Sequence, residues 1–313
     1  MKILVTGGAG FIGSHLCTRL LSEGHEVKCL DNFYNGNLNN IRGLFNQRNF
    51  QFVNGDVRDK NLLREITRDV DHVFHLAAQI HVEKSLIRSN ETCDININGT
   101  MNLLELCKEN KNLSMTLASS AEVYGAGIHS ETSPLNPQSP YAASKVSAEA
   151  LCLAYYNSYG ANVRVIRNFN TFGPKQKAHG YGAVIAIFTA RVLNNKPPII
   201  YGTGEQTRDY QFIDDAVEGY MISLKVPPGQ IFNTGSGKDF TISYLANKVI
   251  EVAGKDLEPI YSEPRPGEVF KLRADINKLK EYGYVPKVGI EEGLHKYIAW
   301  AKDYSFETLG YMT

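Results

Sequence analysis

The segment Thr6-Gly7-Gly8-Ala9-Gly10-Phe11-Ile12-Gly13 constrains this chain more than any other. It follows a short apolar run, Ile3-Leu4-Val5, and leads into a stretch of helical character over 11–24. Gly7, Gly10 and Gly13 stand in GxxGxxG spacing. Glycine is needed where a turn is tight and where backbone has to approach a pyrophosphate; the helix N-terminus that follows offers amide donors and the positive end of its dipole. A glycine triplet alone is a weak signal, but a strand before it and a helix after it make it a dinucleotide-binding turn. Asp31 strengthens that expectation. It ends the second predicted strand, 18 residues beyond Gly13, where a carboxylate binds adenosine ribose hydroxyls and repels a 2′-phosphate. The pattern therefore implies NAD rather than NADP. Asp56-Val57, after the third predicted strand, reads either as an adenine cap or, for Asp56, as a helix N-cap.

Beyond this turn the first half alternates β-rich and helical stretches. Strands are predicted at 2–6, 26–31, 50–55, 71–76, 113–118 and 162–167, and helices at 11–24, 60–68, 91–110 and 141–159. Such alternation builds right-handed βαβ units and a mostly parallel sheet covered on both faces. After about residue 170 Gly, Pro and Asn punctuate shorter elements, with helices expected near 183–195, 214–225, 242–253, 275–282 and 290–303. The expected architecture is α/β: a Rossmann-type doubly wound parallel sheet with a smaller C-terminal α/β substrate-binding region. Residues 1–170 form the dinucleotide-binding domain, to which segments near 212–239 return, and 171–313 form the second region.

Composition excludes several partners. Lys plus Arg and Asp plus Glu are each 33, so no whole-protein field favours nucleic acid or an anionic membrane. No apolar run reaches the roughly 18 residues of a membrane span. The five cysteines (17, 29, 93, 107 and 152) form no CxxC pair and read as buried free thiols. With no signal-peptide pattern at the N-terminus, these features imply a cytoplasmic protein. His72 and His75 are three apart on a predicted strand, point to opposite faces and would not share a metal. There is no zinc-spaced Cys/His cluster, no GxSxG elbow and no Walker loop.

Two further segments carry chemistry. Tyr141-Ala-Ala-Ser-Lys145 places Tyr and Lys four apart on one helix face. An ammonium near a phenol favours the phenolate and makes Tyr141 a base near neutral pH. The fifth predicted strand ends in Ala118-Ser119-Ser120-Ala121-Glu122-Val123-Tyr124-Gly125, and strand C-termini in such sheets face the ligand crevice. Ser120 can then donate to a reacting oxygen; the plainer reading is a turn residue.

Together these segments resemble the extended short-chain dehydrogenase/reductase family, in particular its nucleotide-sugar epimerases and dehydratases. The resemblance runs through GGAGFIGSHL (7–16), LDN (30–32), LAAQ (76–79), INGT (97–100), SSAEVYG (119–125), SPYAASK (139–145), RNFNTFGP (167–174), GEQTRDYQFIDD (204–215) and RPGE (265–268). It implies Ser120, Tyr141 and Lys145 as the catalytic triad. It implies Gly7, Gly10, Phe11, Ile12, Gly13, Asp31, Asn32, Asp56, Val57 and Leu76-Ala77-Ala78, with Tyr141 and Lys145, around NAD. It implies Asn96 as a structural support of the active-site helix. Asn170, Arg208, Arg265 and Glu268 are implied around the nucleotide diphosphate and its sugars, where guanidinium groups suit phosphate. Arg208 reads otherwise as an ion pair with Asp209 or Asp214.

One position departs from the dehydratase pattern. Where sugar 4,6-dehydratases of this family carry Thr-Asp-Glu, this chain reads Ser120-Ala121-Glu122. The acid is missing and the base candidate, Glu122, remains; otherwise Glu122 is a polar residue reaching solvent or an Arg. Tyr181-Gly-Ala-Val-Ile-Ala-Ile-Phe188 leans toward the short 4-epimerases. The leading expectation is an NAD-dependent nucleotide-sugar 4-epimerase working through a transient 4-keto sugar. The alternatives are a 4,6-dehydratase using Glu122 as C5 base, a decarboxylase or reductase, and a non-catalytic NAD-binding regulator. The resemblance also implies a homodimer pairing helices 91–110 and 141–159, with Met101, Leu104, Val146 and Leu153 at the contact.

Overall fold

A computed structural model of the chain describes residues 1–178, 183–264 and 270–303. Two compact units emerge. The first comprises Met1–Val123, Leu135–Arg167 and Val217–Phe232. The second comprises Tyr124–Pro134, Asn168–Ala216 and the described residues from Asn233 onward.

The first unit is built around seven strands: β1 (Lys2–Thr6), β2 (Glu26–Asp31), β3 (Phe50–Asn54), β4 (His72–His75), β5 (Ser114–Ser120), β6 (Asn162–Asn168) and β7 (Ile231–Thr234). Their order across the sheet is β7-β6-β5-β4-β1-β2-β3. β1 pairs in parallel with both β2 and β4, so the strand order reverses there. That switch point leaves a crevice outside the carboxyl ends of the strands. β1, β4 and β5 are buried along nearly their whole length, polar residues included, because helices cover both faces. Those helices are α1 (Phe11–Ser22), α2 (Lys60–Ile66), α3 (Gly99–Glu109) and α4 (Pro140–Tyr159). Leu103, Leu104 and Cys107 of α3 and Ala148 and Cys152 of α4 join Val73, Met115 and Leu117 in one buried cluster.

The helix predicted over 91–110 is divided. Ser89–Cys93 is α-helical, Asp94–Asn98 forms a π-turn, and α3 starts at Gly99. The side chain of Asn96 explains the break: it turns away from the helix to bond other elements, and a π-turn accommodates the displaced residue. Leu104 lies wholly inside the core. It is therefore unavailable to an intersubunit contact, whereas Met101, Val146 and Leu153 are part-exposed. Four cysteines are buried as expected, but Cys93 is exposed.

In the second unit, strands Asp239–Thr241, Thr207–Phe212, Lys271–Ala274 and Gly127–His129 lie side by side, and Asn170–Phe172 pairs with Thr207–Phe212. Helices Val184–Leu193, Ile242–Ala253 and Ile290–Lys302 pack on one another. None of the helices among the described residues is long and apolar enough to cross a membrane.

Candidate active site

The glycine turn is shaped by contacts that admit no side chain. Gly7 has φ 69°, and a Cβ there would stand 2.8 Å from the Ala77 amide nitrogen. A Cβ on Gly13 would stand 2.2 Å from the Gly7 carbonyl oxygen. The turn is thus pressed onto Leu76-Ala77 at the end of β4, which the sequence had assigned to the same site. Gly10 caps α1 without a side chain, so the first-turn amides at Phe11, Ile12 and Gly13 meet no capping group. An uncapped helix start behind a Cβ-free turn fits a pyrophosphate.

Asp31 lies beside this turn. Its Oδ2 accepts from the Ala9 amide at 2.9 Å and its Oδ1 from the Phe33 amide at 2.7 Å. Asn32 donates to Asp56 Oδ2 at 2.8 Å, and Arg58 pairs with the same oxygen at 2.8 Å. The guanidinium holds the Asp56 carboxyl below its usual range. The N-cap of α2 is Asp59, whose side chain accepts from Asn61 and Leu62; Asp56 does not cap that helix. Val57 is packed under α3, where Asn102 donates to its carbonyl at 3.0 Å. Ala78 accepts at its carbonyl from Asn35 at 3.0 Å. Asn35 was not singled out from the sequence; its place in an Asn-rich loop gave no spacing to read.

The chemical groups sit where β5 ends against α4. Ser139 caps α4 by accepting from Ala142, Pro140 starts it, and Gly160 ends it in the left-handed conformation at φ 66°. Tyr141 is buried, and burial pushes its phenol up to about 12; the Ser120 hydroxyl bonded to it pulls down and the Glu122 carboxylate pushes up. Lys145 Nζ donates to the Ala118 carbonyl at 2.9 Å. This corrects the expectation that the ammonium alone makes Tyr141 a ready base. Here desolvation of the buried phenol dominates, because the ring lies in a low-dielectric layer. Burial also brings Lys145 down to about 8, against an upward pull from Glu149.

Asn96 supports this arrangement. It accepts from the Gln79 amide at 2.8 Å and donates to the Gln79 carbonyl at 3.0 Å and the Ser144 hydroxyl at 2.9 Å. Ser144 in turn donates to the Tyr141 carbonyl at 2.7 Å. Gln79 and Ser144 are members of this network that sequence reading missed, since a lone polar residue in a motif does not reveal its partner. The two histidines serve separate sites: His72 Nδ1 meets Ser114 at 2.7 Å, and His75 meets Thr6 and Thr100 at 2.8 and 3.0 Å.

In the second unit Asn170 is registered opposite Tyr210, two residues from Arg208, so both side chains project from one face of that pair. Asn170 donates to the Asp209 carbonyl at 3.3 Å and Arg208 to the Thr207 carbonyl at 2.9 Å. Among the described residues Arg208 makes no ion pair with Asp209 or Asp214. The Asp209 carboxylate instead accepts from Ser236, Gly237 and Ala274. Tyr124 is buried, and its hydroxyl donates to Asn233 at 2.8 Å. Arg265, Glu268 and Tyr181 lie outside the described residues.

The profile of the family described as GDP-mannose 4,6 dehydratase matches residues 4–297. The chain is 38% identical to a putative UDP-glucose 4-epimerase of Methanocaldococcus jannaschii over 96% of this chain and 98% of that one. It superposes with a TM-score of 0.91 on UDP-glucose 4-epimerase of Thermotoga maritima solved with UDP-glucose, at 35% identity, covering 97% of this chain and 99% of that one. The score is also 0.91 for dTDP-glucose 4,6-dehydratase of Streptomyces venezuelae with NAD bound, at 33% identity and 97% coverage of both.

Proposed function

Because the chain belongs to the extended short-chain dehydrogenase/reductase family of NAD-dependent nucleotide-sugar epimerases and dehydratases, we propose that it is a nucleotide-sugar 4-epimerase. The observation that carries this reading is Ala121. A buried methyl group stands where a dehydratase needs the acid that protonates the departing hydroxyl. Tyr124, a substitute acid next in the sequence, already has its hydroxyl committed to Asn233. Epimerisation at C4 requires neither acid nor C5 base.

NAD would be held by Gly7, Gly10, Phe11, Ile12, Gly13 and Asp31 with Asn32, Asp56, Val57 and Leu76-Ala77-Ala78, and would supply a reversible hydride acceptor and a positively charged ring. The chain supplies the rest. Tyr141 takes the proton of the C4 hydroxyl at its phenolic oxygen and later returns it. Ser120 donates to the C4 oxygen, and Lys145 keeps a positive charge beside the phenolate. A transient 4-keto sugar turns and is reduced on its other face. Asn170, Arg208, Arg265 and Glu268 hold the nucleotide portion, so that remote binding energy keeps the sugar in place while it turns. Two such chains form a homodimer through Met101, Val146 and Leu153, which light scattering at micromolar concentration measures directly.

One observation favours a second reading, a 4,6-dehydratase. The Glu122 carboxylate is near enough to Tyr141 to raise its pKa, so a base is available beside the reacting ring. Incubation with a panel of nucleotide sugars, read by mass and NMR, separates the two. An unchanged mass with inverted C4, and only a modest rate loss in Glu122→Gln, is the expected result. A product lighter by one water, absent in Glu122→Gln, makes the enzyme a dehydratase.

A further inference from the structure

Three consecutive residues close the end of β5 against one face of α4. Ser120 bonds the Tyr141 phenol, the Ala118 carbonyl accepts from Lys145 at 2.9 Å, and the Ser119 hydroxyl donates to Glu149. Tyr141, Lys145 and Glu149 are successive steps of four along the helix and share a face. Glu149 is the third rung of this ladder. Its carboxylate is locked from the other side by Arg167 of β6, whose Nε stands 3.0 Å from Oε1 and whose Nη2 stands 2.6 Å from Oε2. Glu149 and Arg167 are each only 2% exposed. A buried ion pair of this kind is weak evidence for added stability, since desolvation offsets its attraction. Its place one helical turn from Lys145 gives it another use.

We propose that Glu149 is a positioning residue that seats α4 on the end of β5 and, as the anion next to Lys145, keeps that side chain an ammonium. The inference rests on the role given above to Tyr141 and Lys145. Around Lys145 are Glu149 on α4, the Ala118 carbonyl on β5 and His75 on β4, with Tyr141 one helical turn before it on α4. Arg167 of β6 lies behind Glu149, and Glu122 lies beyond Tyr141. His75 is kept neutral by burial and supplies no counter-charge. Glu149 and Arg167 together sum to zero charge. Removing either charge therefore leaves the other unbalanced near Lys145, with opposite consequences.

The test reads Lys145 itself. Protein labelled with 13C at lysine Cε is titrated with NAD bound, and the Lys145 signal is assigned by its loss in Lys145→Arg. Glu149→Gln leaves Arg167 unopposed, and the Lys145 midpoint falls by about one unit. Arg167→Gln leaves Glu149 unopposed, and the midpoint rises. The double variant stays below the wild-type value, but by less than Glu149→Gln, because the nearer carboxylate is lost together with the guanidinium behind it. The alkaline limb of turnover moves in step with these midpoints. Ser119→Ala removes the rung and neither charge; it leaves the midpoint in place and lowers kcat roughly tenfold with KM little changed, as expected for misplacement of a catalytic group. A purely structural pair would move both single variants in the same direction or neither, and that result overturns the proposal, as does an unchanged kcat in Ser119→Ala. If Glu149→Gln does not fold, the upward shift in Arg167→Gln still decides the matter. The midpoints are read without turnover, so they stand even if the reaction is not epimerisation.

Discussion

Asn96 donates to the Ser144 hydroxyl at 2.9 Å, which ties the π-turn ahead of α3 to the second turn of α4. Through Ser144 the link continues to the Tyr141 carbonyl, and through Gln79 to the loop that follows β4. The same carboxamide thus joins three elements around the candidate catalytic helix.

Asn96→Ala breaks its bonds to the Gln79 amide, the Gln79 carbonyl and the Ser144 hydroxyl at once. It leaves the Gln79 amide and carbonyl buried and unpaired, at about 1–3 kcal/mol each. A loss of about 2–5 kcal/mol in urea unfolding, with an unchanged m-value, is expected. A loss under about 0.5 kcal/mol would show that water replaces the carboxamide.

Tyr141→Phe keeps the ring in its buried place and removes the group that carries the proton. Turnover should fall by at least about 10²-fold, the lower range for general acid–base effects, with unfolding stability near wild type. Near-normal turnover by a folded variant removes Tyr141 from this role.

Asp31 is held beside the glycine turn by two backbone amides, so its negative charge is fixed where a 2′-phosphate would have to sit. NAD should bind at least about tenfold more tightly than NADP, a difference of about 1.4 kcal/mol. Equal affinities by titration at one ionic strength would contradict this, and Asp31→Asn should narrow the gap.

His72 and His75 are buried, and desolvation brings each down to about 3. Both stay neutral in the folded chain while the unfolded chain takes up protons below about 6.5. The sign follows from linkage: stability is fully present above that value and is lost as pH falls from about 6.5 toward about 3. Each site contributes a slope of up to about 1.4 kcal/mol per pH unit. Unfolding free energies at pH 7 and pH 5 should therefore converge in His75→Gln relative to wild type; an identical difference in both proteins would exclude the site.

The local periodicities and the glycine turn sufficed for the Rossmann sheet, for Asp31 at the end of β2 and for Tyr141 and Lys145 on one helix face. Each of these depends on neighbours within one or two turns of chain, which is the range that residue spacing reports. Tertiary packing decided the rest. It broke the 91–110 helix at Asn96, because a bond to Ser144 lies 48 residues away in sequence. It turned Leu104 into the core and made Asp59, not Asp56, the cap of α2. It also shifted Tyr141 up and Lys145 down: spacing placed the two on one helix face, but the depth of burial, which only the folded layers determine, is the main cause of both shifts.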